Sequence, residues 1–398
     1  MVSPPVPRRR FGRTELAMPV FSCGGMRYQH SWSDKAAAEI PSDSQTTVEA
    51  VVQRAYEFGI THFETARGYG TSEMQLGRAL KNLPRDELIV QTKIGPRANG
   101  AEFREVFETS LANLKMDHVE LLSIHGLNTP ELLAQCLTPG GALDAAEKLR
   151  REGRCRFIGF STHGPVDFIL DAINTGRFDY VNIHWYFVND FTWPAVEAAA
   201  KQDMGVFIIS PNDKGGKLYE PSEKLTRLCA PLSPMQFNDL YCLSRPQVHT
   251  LSIGANKPSD FDEHVAALAR YDTRVEITAP IARRLNDEME SVLGRDWVRH
   301  WFEGLPKWSD VPGEINIHEI LRLWNFAIAL DMEAFAKMRY GLLGQGDHWQ
   351  PGQNAAEADS LDLADALKKS PFADRIPEIL REAHASLFEG PKQRISES

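Results

Sequence analysis

The stretch LIVQTKIGPRANGAEFREVFETSLANLKMDHVELLSIH, residues 88–125, decides the fold of this chain. It begins with LIVQTK (88–93) and ends with HVELLSIH (118–125), two largely apolar runs typical of strands that are buried on both faces. Between them, apolar residues recur at spacings of three and four, which predicts one buried helix face: Phe103, Val106, Phe107, Leu111 and Leu114. The stretch therefore predicts a strand, a helix and a second strand parallel to the first.

The same alternation continues on both sides of this stretch. The further strand-like runs are PVFSCGGM (19–26), THFETA (61–66), CRFIGFS (155–161), YVNIHW (180–185), GVFIIS (205–210) and VHTLSIG (248–254). Eight parallel strands, each followed by a helix within about 250 residues, are typical of a closed barrel. We therefore predict an α/β fold, a (β/α)8 TIM barrel.

An open, doubly wound sheet is the structural alternative. That fold carries a GxGxxG motif after its first strand, where the glycines let the backbone approach a pyrophosphate. Here CGGMRYQ (23–29) offers only adjacent glycines and runs into a long polar stretch at 31–44. The pattern favours the barrel.

Composition limits the class of partner. With 398 residues, 42% of them hydrophobic and 25% charged, the chain has room for one large domain or two. A formal net charge of -10 disfavours binding to nucleic acid or to anionic membranes. We expect small-molecule partners, and a homo-oligomer stays an open alternative.

The five cysteines are odd in number and form no CxxC pair, which predicts reduced, buried thiols. No apolar core of a signal peptide follows the basic start of the chain, and no later run reaches about 18 apolar residues. We expect a cytoplasmic protein.

Reactive side chains follow the predicted strands at the barrel rim where the chemistry of such folds takes place. Carbonyl reduction needs a hydride for the carbon and a proton for the oxygen, and Tyr69 could donate that proton. The charge of Lys93 would favour the phenolate and lower the pKa of a nearby tyrosine. Glu64 would keep Lys93 ionised, and His125 could hydrogen-bond the substrate oxygen.

These residues stand in a recognisable order. The segment ETARGYGTSE (64–73) resembles the signature D-T-A-x-x-Y-G-x-S-E of the aldo-keto reductase family, and the likeness continues through QTKIG (91–95), LLSIHG (121–126) and GFSTHG (159–164). The resemblance implies that Tyr69 is the acid, with Lys93, His125 and Glu64 completing the set. Glu64 replaces the family's aspartate.

The resemblance implies an NAD(P)-dependent oxidoreductase that interconverts an alcohol with an aldehyde or ketone, a sugar being one candidate. The functional alternative is a catalytically weak, cofactor-binding regulatory protein on the same barrel. It would have lost turnover through Glu64, Asn182 and Ile209, which depart from the family pattern.

The resemblance also implies a cofactor site over the barrel mouth. Its predicted residues are Gly25, Met26, Ser161, Asn182, Ser210, Pro211, Lys214, Gly215, Gly216, Lys217, Gly254, Asn256, Lys257, Asp260, Glu263 and His264. Glu263 and His264 occupy the family's adenine contacts. Asp260 stands where an arginine commonly binds the 2′-phosphate, so the choice between NAD and NADP stays open, with the acid favouring NAD.

Four aromatic residues are predicted to face the substrate: Tyr28, Trp32, Trp185 and Tyr186. They suit stacking on a sugar ring, and ordinary packing between loop and barrel is the equal alternative. His30, His163 and His184 have no acidic or cysteine ligand at a metal-binding spacing, so we expect no metal site.

We place the barrel at residues 1–279 and a helical extension at 280–398, with helices over 280–293, 317–329, 332–341 and 376–387. The extension resembles the ferredoxin-like domain of an aldo-keto reductase subgroup that binds two iron-sulfur clusters through C-x2-C-x2-C-x3-C-P runs. The aligned positions hold no cysteine, so we expect no cluster. They are Trp301, Gly304, Lys307 and Val311 before Pro312, and Ser360, Leu363, Ala366 and Ser370 before Pro371.

Overall fold

The structure, a computed structural model, describes residues 6–346 and 348–392. These residues form two compact units. The first contains the described chain up to Gly215 together with Asn238–Arg274, and the second contains Gly216–Phe237 together with the described chain from Val275 onward.

The first unit is a closed parallel barrel, which confirms the predicted TIM barrel. An antiparallel pair of short strands precedes it, β1 (Arg8–Arg10) and β2 (Ala17–Pro19). The barrel strands are β3 (Phe21–Gly24), β4 (His62–Glu64), β5 (Ile89–Ile94), β6 (Val119–Ile124), β7 (Cys155–Ser161), β8 (Tyr180–Ile183), β9 (Gly205–Ile208) and β10 (Thr250–Gly254). Each strand pairs with the next in sequence, and β10 closes the barrel by pairing with both β9 and β3.

Helices alternate with the strands and then continue alone. They are α1 (Ser42–Glu57), α2 (Ser72–Leu80), α3 (Gly100–Leu114), α4 (Pro130–Leu137), α5 (Ala142–Arg151), α6 (Val166–Asn174), α7 (Trp193–Lys201), α8 (Glu223–Cys229), α9 (Pro234–Leu243), α10 (Asp262–Ala267), α11 (Arg274–Leu293), α12 (Arg295–His300), α13 (Ile317–Leu330), α14 (Glu333–Tyr340), α15 (Ala364–Leu367) and α16 (Ile376–Leu387). No helix in the described chain is long and apolar enough to cross a membrane.

The start of α11 differs from the sequence prediction, which placed Pro280 in the first turn. Pro280 instead lies inside a helix that begins at Arg274. Thr278, Ile281 and Leu285 are buried at helical spacing on either side of it, so one continuous apolar face favours the helix across the proline.

The β1–β2 hairpin closes the end of the barrel where the strands begin. Phe11, between the two strands, is fully buried and packs against Tyr180 at the start of β8 and against His249 before β10, with ring centroids 5.7 Å apart in both pairs. Arg9 fastens the hairpin by donating to the carbonyl of Leu243 at 2.6 Å. The predicted catalytic residues lie at the opposite end of the barrel, where the strands end.

The second unit is held by aromatic packing among its helices. Trp297 of α12 is buried, donates from Nε1 to Asn325 Oδ1 of α13 at 2.7 Å, and packs against Phe372 with ring centroids 4.9 Å apart. Ser222, at the start of α8, donates to the carbonyl of Leu330 at 3.1 Å, which joins the 216–237 segment to the C-terminal helices.

Truncating the buried side chain of Phe11 tests whether the hairpin stabilises the end of the barrel where the strands begin. We expect Phe11→Ala to lower the free energy of unfolding by about 3–5 kcal/mol, because the buried cavity cannot be refilled by neighbouring strands. Urea denaturation measures the free energy of unfolding. Leu137→Ala, at a partly exposed position on α4, is the control and should lower it far less. Equal losses in the two variants would contradict a stabilising role of Phe11.

Candidate active site

The four predicted catalytic residues come from three adjacent strand ends. Glu64 is the last residue of β4, Lys93 is the penultimate residue of β5, His125 directly follows β6, and Tyr69 lies in the turn between β4 and α2. The parallel register pairs Glu64 with Gln91, two residues before Lys93, and pairs Lys93 with Ser123, two residues before His125, so the three residues are offset by two positions from strand to strand. The structure brings the set together.

Lys93 is the centre of the group. Its ammonium is buried and donates to the hydroxyl of Tyr69 at 3.3 Å, to the carbonyl of Thr65 at 2.9 Å and to the carboxylate of Glu64. Burial disfavours the charged form, but the attraction of Glu64 and then of Tyr69 outweighs it and raises the pKa of Lys93 above its ordinary value. Lys93 is therefore a fixed positive charge beside the tyrosine hydroxyl.

Glu64 uses both of its carboxylate oxygens. Oε2 accepts from Lys93, and Oε1 accepts from the hydroxyl of Ser252 in β10 at 2.9 Å. The longer side chain thus reaches Lys93 and a strand on its other side at once. Replacement of the family's aspartate keeps the ion pair.

Two rings flank Tyr69. His125 stands edge-on to the tyrosine ring with centroids 5.5 Å apart, and Trp32 stands edge-on at 6.4 Å. His125 is buried, whereas Trp32 is partly exposed. An imidazole and an indole therefore border the ring of Tyr69.

The loop that carries Trp32 is tied to the loop that carries Tyr69. The amide of His30 donates to Gln75 Oε1 at 2.8 Å and to Thr71 Oγ1 at 3.1 Å. Gly70 has a φ of +53°, and a Cβ there would lie 2.1 Å from the carbonyl oxygen of Ser31, so only glycine allows this approach. The position of Trp32 is set by backbone contacts.

Asn182 fits the amide of a nicotinamide. Its side chain is completely buried, and neither its oxygen nor its nitrogen has a hydrogen-bond partner among the described residues. A buried amide left unpaired on both atoms is costly unless a ligand satisfies it. Ser161 of β7 pairs with Asn182 of β8, and its hydroxyl oxygen accepts a hydrogen bond from the amide of Gly126 at 3.0 Å.

The predicted phosphate loop divides between the two units after Gly215. Within the first unit it is a tight turn: Ser210 has a φ of +52°, its carbonyl accepts from the amide of Lys214 at 3.1 Å, and a Cβ on Gly215 would lie 1.9 Å from the carbonyl oxygen of Pro211. Gly216 and Lys217 belong to the second unit, where Lys217 pairs with Glu220 at 3.0 Å.

The Lys214 ammonium lies between two histidines that follow the neighbouring strands β7 and β8. It is 3.1 Å from Nδ1 of His163 and 3.4 Å from Nε2 of His184. His184 in turn contacts the hydroxyl of Tyr186. In the described chain no group of three or more His, Cys, Asp and Glu side chains could hold a metal ion.

The predicted adenosine segment folds into a short capped turn. Asp260 Oδ2 accepts from the amides of Asn256 at 2.8 Å and Lys257 at 3.3 Å. Gly254 lies against the side chain of Arg27, whose Cδ would be 2.7 Å from an added Cβ, and Glu263 is exposed. Gly25, directly after β3, is buried and donates its amide to the carbonyl of Glu64 at 2.7 Å, while Met26 is partly exposed.

His264 requires a correction to the sequence prediction. We expected it to contact adenine, but it is buried, with Nδ1 2.5 Å from Oδ2 of Asp239 and Nε2 3.1 Å from Nδ2 of Asn212. Because protein groups occupy both ring nitrogens, none is left for a base.

Three of the four predicted substrate residues are buried in packing contacts. Trp185 stacks on Tyr241 at 5.2 Å with an interplanar angle of 17°, and the hydroxyl of Tyr186 donates to the carbonyl of Ile209 at 2.8 Å. Tyr28 is buried, and its hydroxyl would be 3.0 Å from a Cβ on Gly25. Only Trp32 combines partial exposure with a contact to Tyr69.

Comparison with known proteins agrees with the barrel fold. A sequence profile of the Aldo/keto reductase family matches residues 22–215. The L-galactose dehydrogenase of Arabidopsis thaliana is 28% identical over 263 residues, which are 56% of this chain and 78% of that protein. The region at residues 22–215 therefore matches the aldo/keto reductase family, a family of oxidoreductases. The NADH-specific methylglyoxal reductase of Escherichia coli (strain K12) is 26% identical over 160 residues, 35% of this chain and 48% of that protein.

Solved aldo-keto reductases share the fold. The holo form of one from Bacillus halodurans superposes with a TM-score of 0.55 at 19% identity, over 69% of this chain and 96% of that one. One from Klebsiella pneumoniae, in complex with NADPH, gives a TM-score of 0.53 at 19% identity, over 68% and 94%.

Several residues of this candidate site could not be predicted from the sequence. Ser252 lies near the end of β10, a position that could have been read as rim-facing, but a serine there carries no chemical signal on its own. Asn212 and Asp239 reach His264 from separate segments, a contact that no local pattern indicates.

The buried ion pair generates a test that is independent of turnover. We expect Glu64→Gln to lower the free energy of unfolding by about 3–5 kcal/mol, because it leaves the Lys93 ammonium buried without its counter-charge. The double variant Glu64→Gln/Lys93→Met should recover most of the loss, since it removes the stranded charge.

Urea denaturation measures both variants. Glu152→Gln, which breaks the partly exposed pair with Arg104, is the control and should cost no more than about 1 kcal/mol. A double variant as unstable as the single one would show that Lys93 does not depend on Glu64.

Proposed function

We propose that this protein interconverts a small carbonyl compound and its alcohol with a nicotinamide dinucleotide, using Tyr69 as the acid and base. One observation carries the proposal: the buried Lys93 ammonium donates to the Tyr69 hydroxyl at 3.3 Å and to the Glu64 carboxylate on its other side. That arrangement favours the ionised tyrosine and so allows reversible proton transfer near neutral pH.

Each residue has a distinct task. The bound dinucleotide supplies the hydride. Tyr69 donates its proton to the carbonyl oxygen in reduction and takes it back in oxidation. Lys93 stabilises the phenolate, and Glu64 holds Lys93 in place. His125, 5.5 Å from the tyrosine ring between centroids, orients the substrate oxygen toward the hydroxyl.

The dinucleotide is held by residues of the barrel rim. Asn182 receives the nicotinamide amide, because its own amide is buried and unpaired among the described residues. The 210–215 turn, with Lys214, receives the pyrophosphate. NADH is preferred to NADPH, because the Asp260 carboxylate already occupies the amides of Asn256 and Lys257 and would repel a 2′-phosphate.

The substrate is a small aldehyde or ketone whose body packs against Trp32, the partly exposed ring beside Tyr69. A polyhydroxylated carbonyl compound such as a sugar fits beside Trp32, because sugar rings stack on indoles. The relatives named for L-galactose and methylglyoxal support small oxygenated substrates. The regulatory alternative loses its main argument, because Glu64 still reaches Lys93.

We also propose that the described residues from 280 onward derive from a ferredoxin-like domain whose cluster-ligand positions hold no cysteine. In a two-cluster ferredoxin the fourth ligand of each run serves the other cluster, so the two runs cross. Here Gly304 of the first run lies against the second: a Cβ on it would be 2.1 Å from the carbonyl oxygen of Lys369 and 2.9 Å from the nitrogen of Ser370. Gly313, after the first run, lies against Leu361 in the same way, at 2.6 Å from Cδ1.

Removing the tyrosine hydroxyl tests the proposed acid. We expect Tyr69→Phe to reduce carbonyl turnover by about 10²- to 10⁴-fold while dinucleotide affinity stays within about twofold, because the ring remains and only the proton is lost. Initial rates with a panel of aldehydes and keto sugars, together with fluorescence titration, measure both. Tyr56→Phe, which removes an exposed hydroxyl on α1, is the control. Undiminished turnover in Tyr69→Phe would contradict the role of Tyr69 as the acid.

The charge of Asp260 tests the cofactor preference. We expect the wild type to bind NADH more tightly than NADPH, and Asp260→Asn to improve NADPH relative to NADH by about fivefold, because the amide keeps an acceptor for the turn but carries no charge. Fluorescence titration of both cofactors measures the ratio. Asp262→Asn, two residues on and paired with Arg54, should leave it unchanged. A wild type that prefers NADPH would contradict the preference.

A further inference from the structure

Two helices hold the 210–215 turn from behind. Asn238 of α9 donates from Nδ2 to the carbonyl of Pro211 at 3.0 Å. His264 of α10 lies 3.1 Å from the side-chain amide of Asn212, the next residue of the turn. The turn is therefore anchored at two consecutive residues, once through its backbone and once through a side chain.

The direction of the hydrogen bonds in this cluster follows from Asp239. Its carboxylate is fully buried and lies 2.5 Å from Nδ1 of His264, so Nδ1 carries the proton and donates it. The amide nitrogen of Asn212 is a donor, so Nε2 of His264 accepts from it at 3.1 Å. Asp239, His264 and Asn212 thus form one ordered chain of hydrogen bonds.

The chain is completely enclosed in the first unit. Asn212 and His264 are both buried, and the imidazole packs edge-on against Phe21 of β3 with ring centroids 5.9 Å apart. The ring therefore rests on the barrel wall, which fixes its position. The His264 ring therefore fixes the position of the turn relative to β3.

The turn needs such support because its backbone is strained. Ser210 adopts a φ of +52°, a region that non-glycine residues rarely occupy, and Gly215 approaches the Pro211 carbonyl too closely for any side chain. Backbone in this state persists only where surrounding contacts hold it. Asn212 lies between these two positions and is the residue of the turn whose side chain His264 holds.

We infer that His264 is a positioning residue for the dinucleotide: through Asn212 it holds the 210–215 turn in the conformation that receives the pyrophosphate. This inference rests on the proposed function, because it needs the turn to be the cofactor's phosphate site. It assigns His264 an indirect role in affinity and no role in the chemical step. Asp239 fixes the tautomer that makes the support work.

Two conservative variants break the bond from opposite sides. Asn212→Leu keeps the size of the side chain and removes the donor, and His264→Phe keeps the ring against Phe21 and removes the acceptor. We expect each to weaken NADH binding about fivefold to tenfold, the worth of one buried hydrogen bond, with kcat at saturating NADH within about twofold. The double variant should weaken binding no more than His264→Phe alone, because that variant has already lost the hydrogen bond to Asn212.

The measurements are fluorescence titration of NADH and ADP, and kcat and KM for the most active carbonyl of the panel. Thermal melting checks that each variant is folded. His249→Phe is the matched control, because it replaces another barrel histidine whose Nδ1 accepts a backbone hydrogen bond but which lies at the opposite end. We expect its affinity for NADH to match that of the wild type.

The measurements distinguish a positioning role of His264 from a direct contact between His264 and adenine. A direct adenine contact would weaken ADP and NADH binding in His264→Phe but not in Asn212→Leu, which would overturn the inference. Folded variants with unchanged affinity, or losses that add in the double variant, would also overturn it. If the wild type itself bound neither NADH nor NADPH, the proposed function would fail and the inference with it.

Discussion

The buried ammonium of Lys93 is the constraint on which the site depends. Taking a charge out of water costs several kcal/mol unless close partners compensate it. Glu64, Thr65 and Tyr69 supply those partners, and all three come from β4 or the turn that follows it. The pairing of β4 with β5 must therefore keep its register, since a slip of one residue would turn Lys93 away from the carboxylate.

The barrel could be predicted because its strands carry their own signal. Strands buried on both faces are nearly continuous apolar runs, and the stretch at 88–125 shows two of them around one helix. The β1–β2 hairpin could not be predicted in the same way. Its strands have three residues each, and the first is RRR, so neither has an apolar period to detect. Long-range contacts of Phe11 and Arg9 hold it in place.

The candidate site, like the fold, could be predicted from the sequence only in part. Glu64, Lys93 and His125 lie on or directly after strands, and the parallel barrel brings such positions together without further information. His264 was misassigned because its partner Asp239 comes from a different helix, and a buried carboxylate redirects the imidazole in a way that no motif records. Trp185 was expected at the substrate, but Tyr241 stacks on it from a distant segment. Side chains on loops and helices depend on such contacts.

The glutamate at position 64 shows how a departure from a family pattern is accommodated. Its extra methylene needs room beside β3, and Gly24 provides it: a Cβ there would lie 3.0 Å from Glu64 Oε1 and 2.6 Å from the hydroxyl of Ser252. Ser252 then satisfies the oxygen that Lys93 does not use. Glu64, Gly24 and Ser252 therefore form one unit, because a larger residue at 24 would displace the carboxylate and an apolar residue at 252 would leave half of it unpaired.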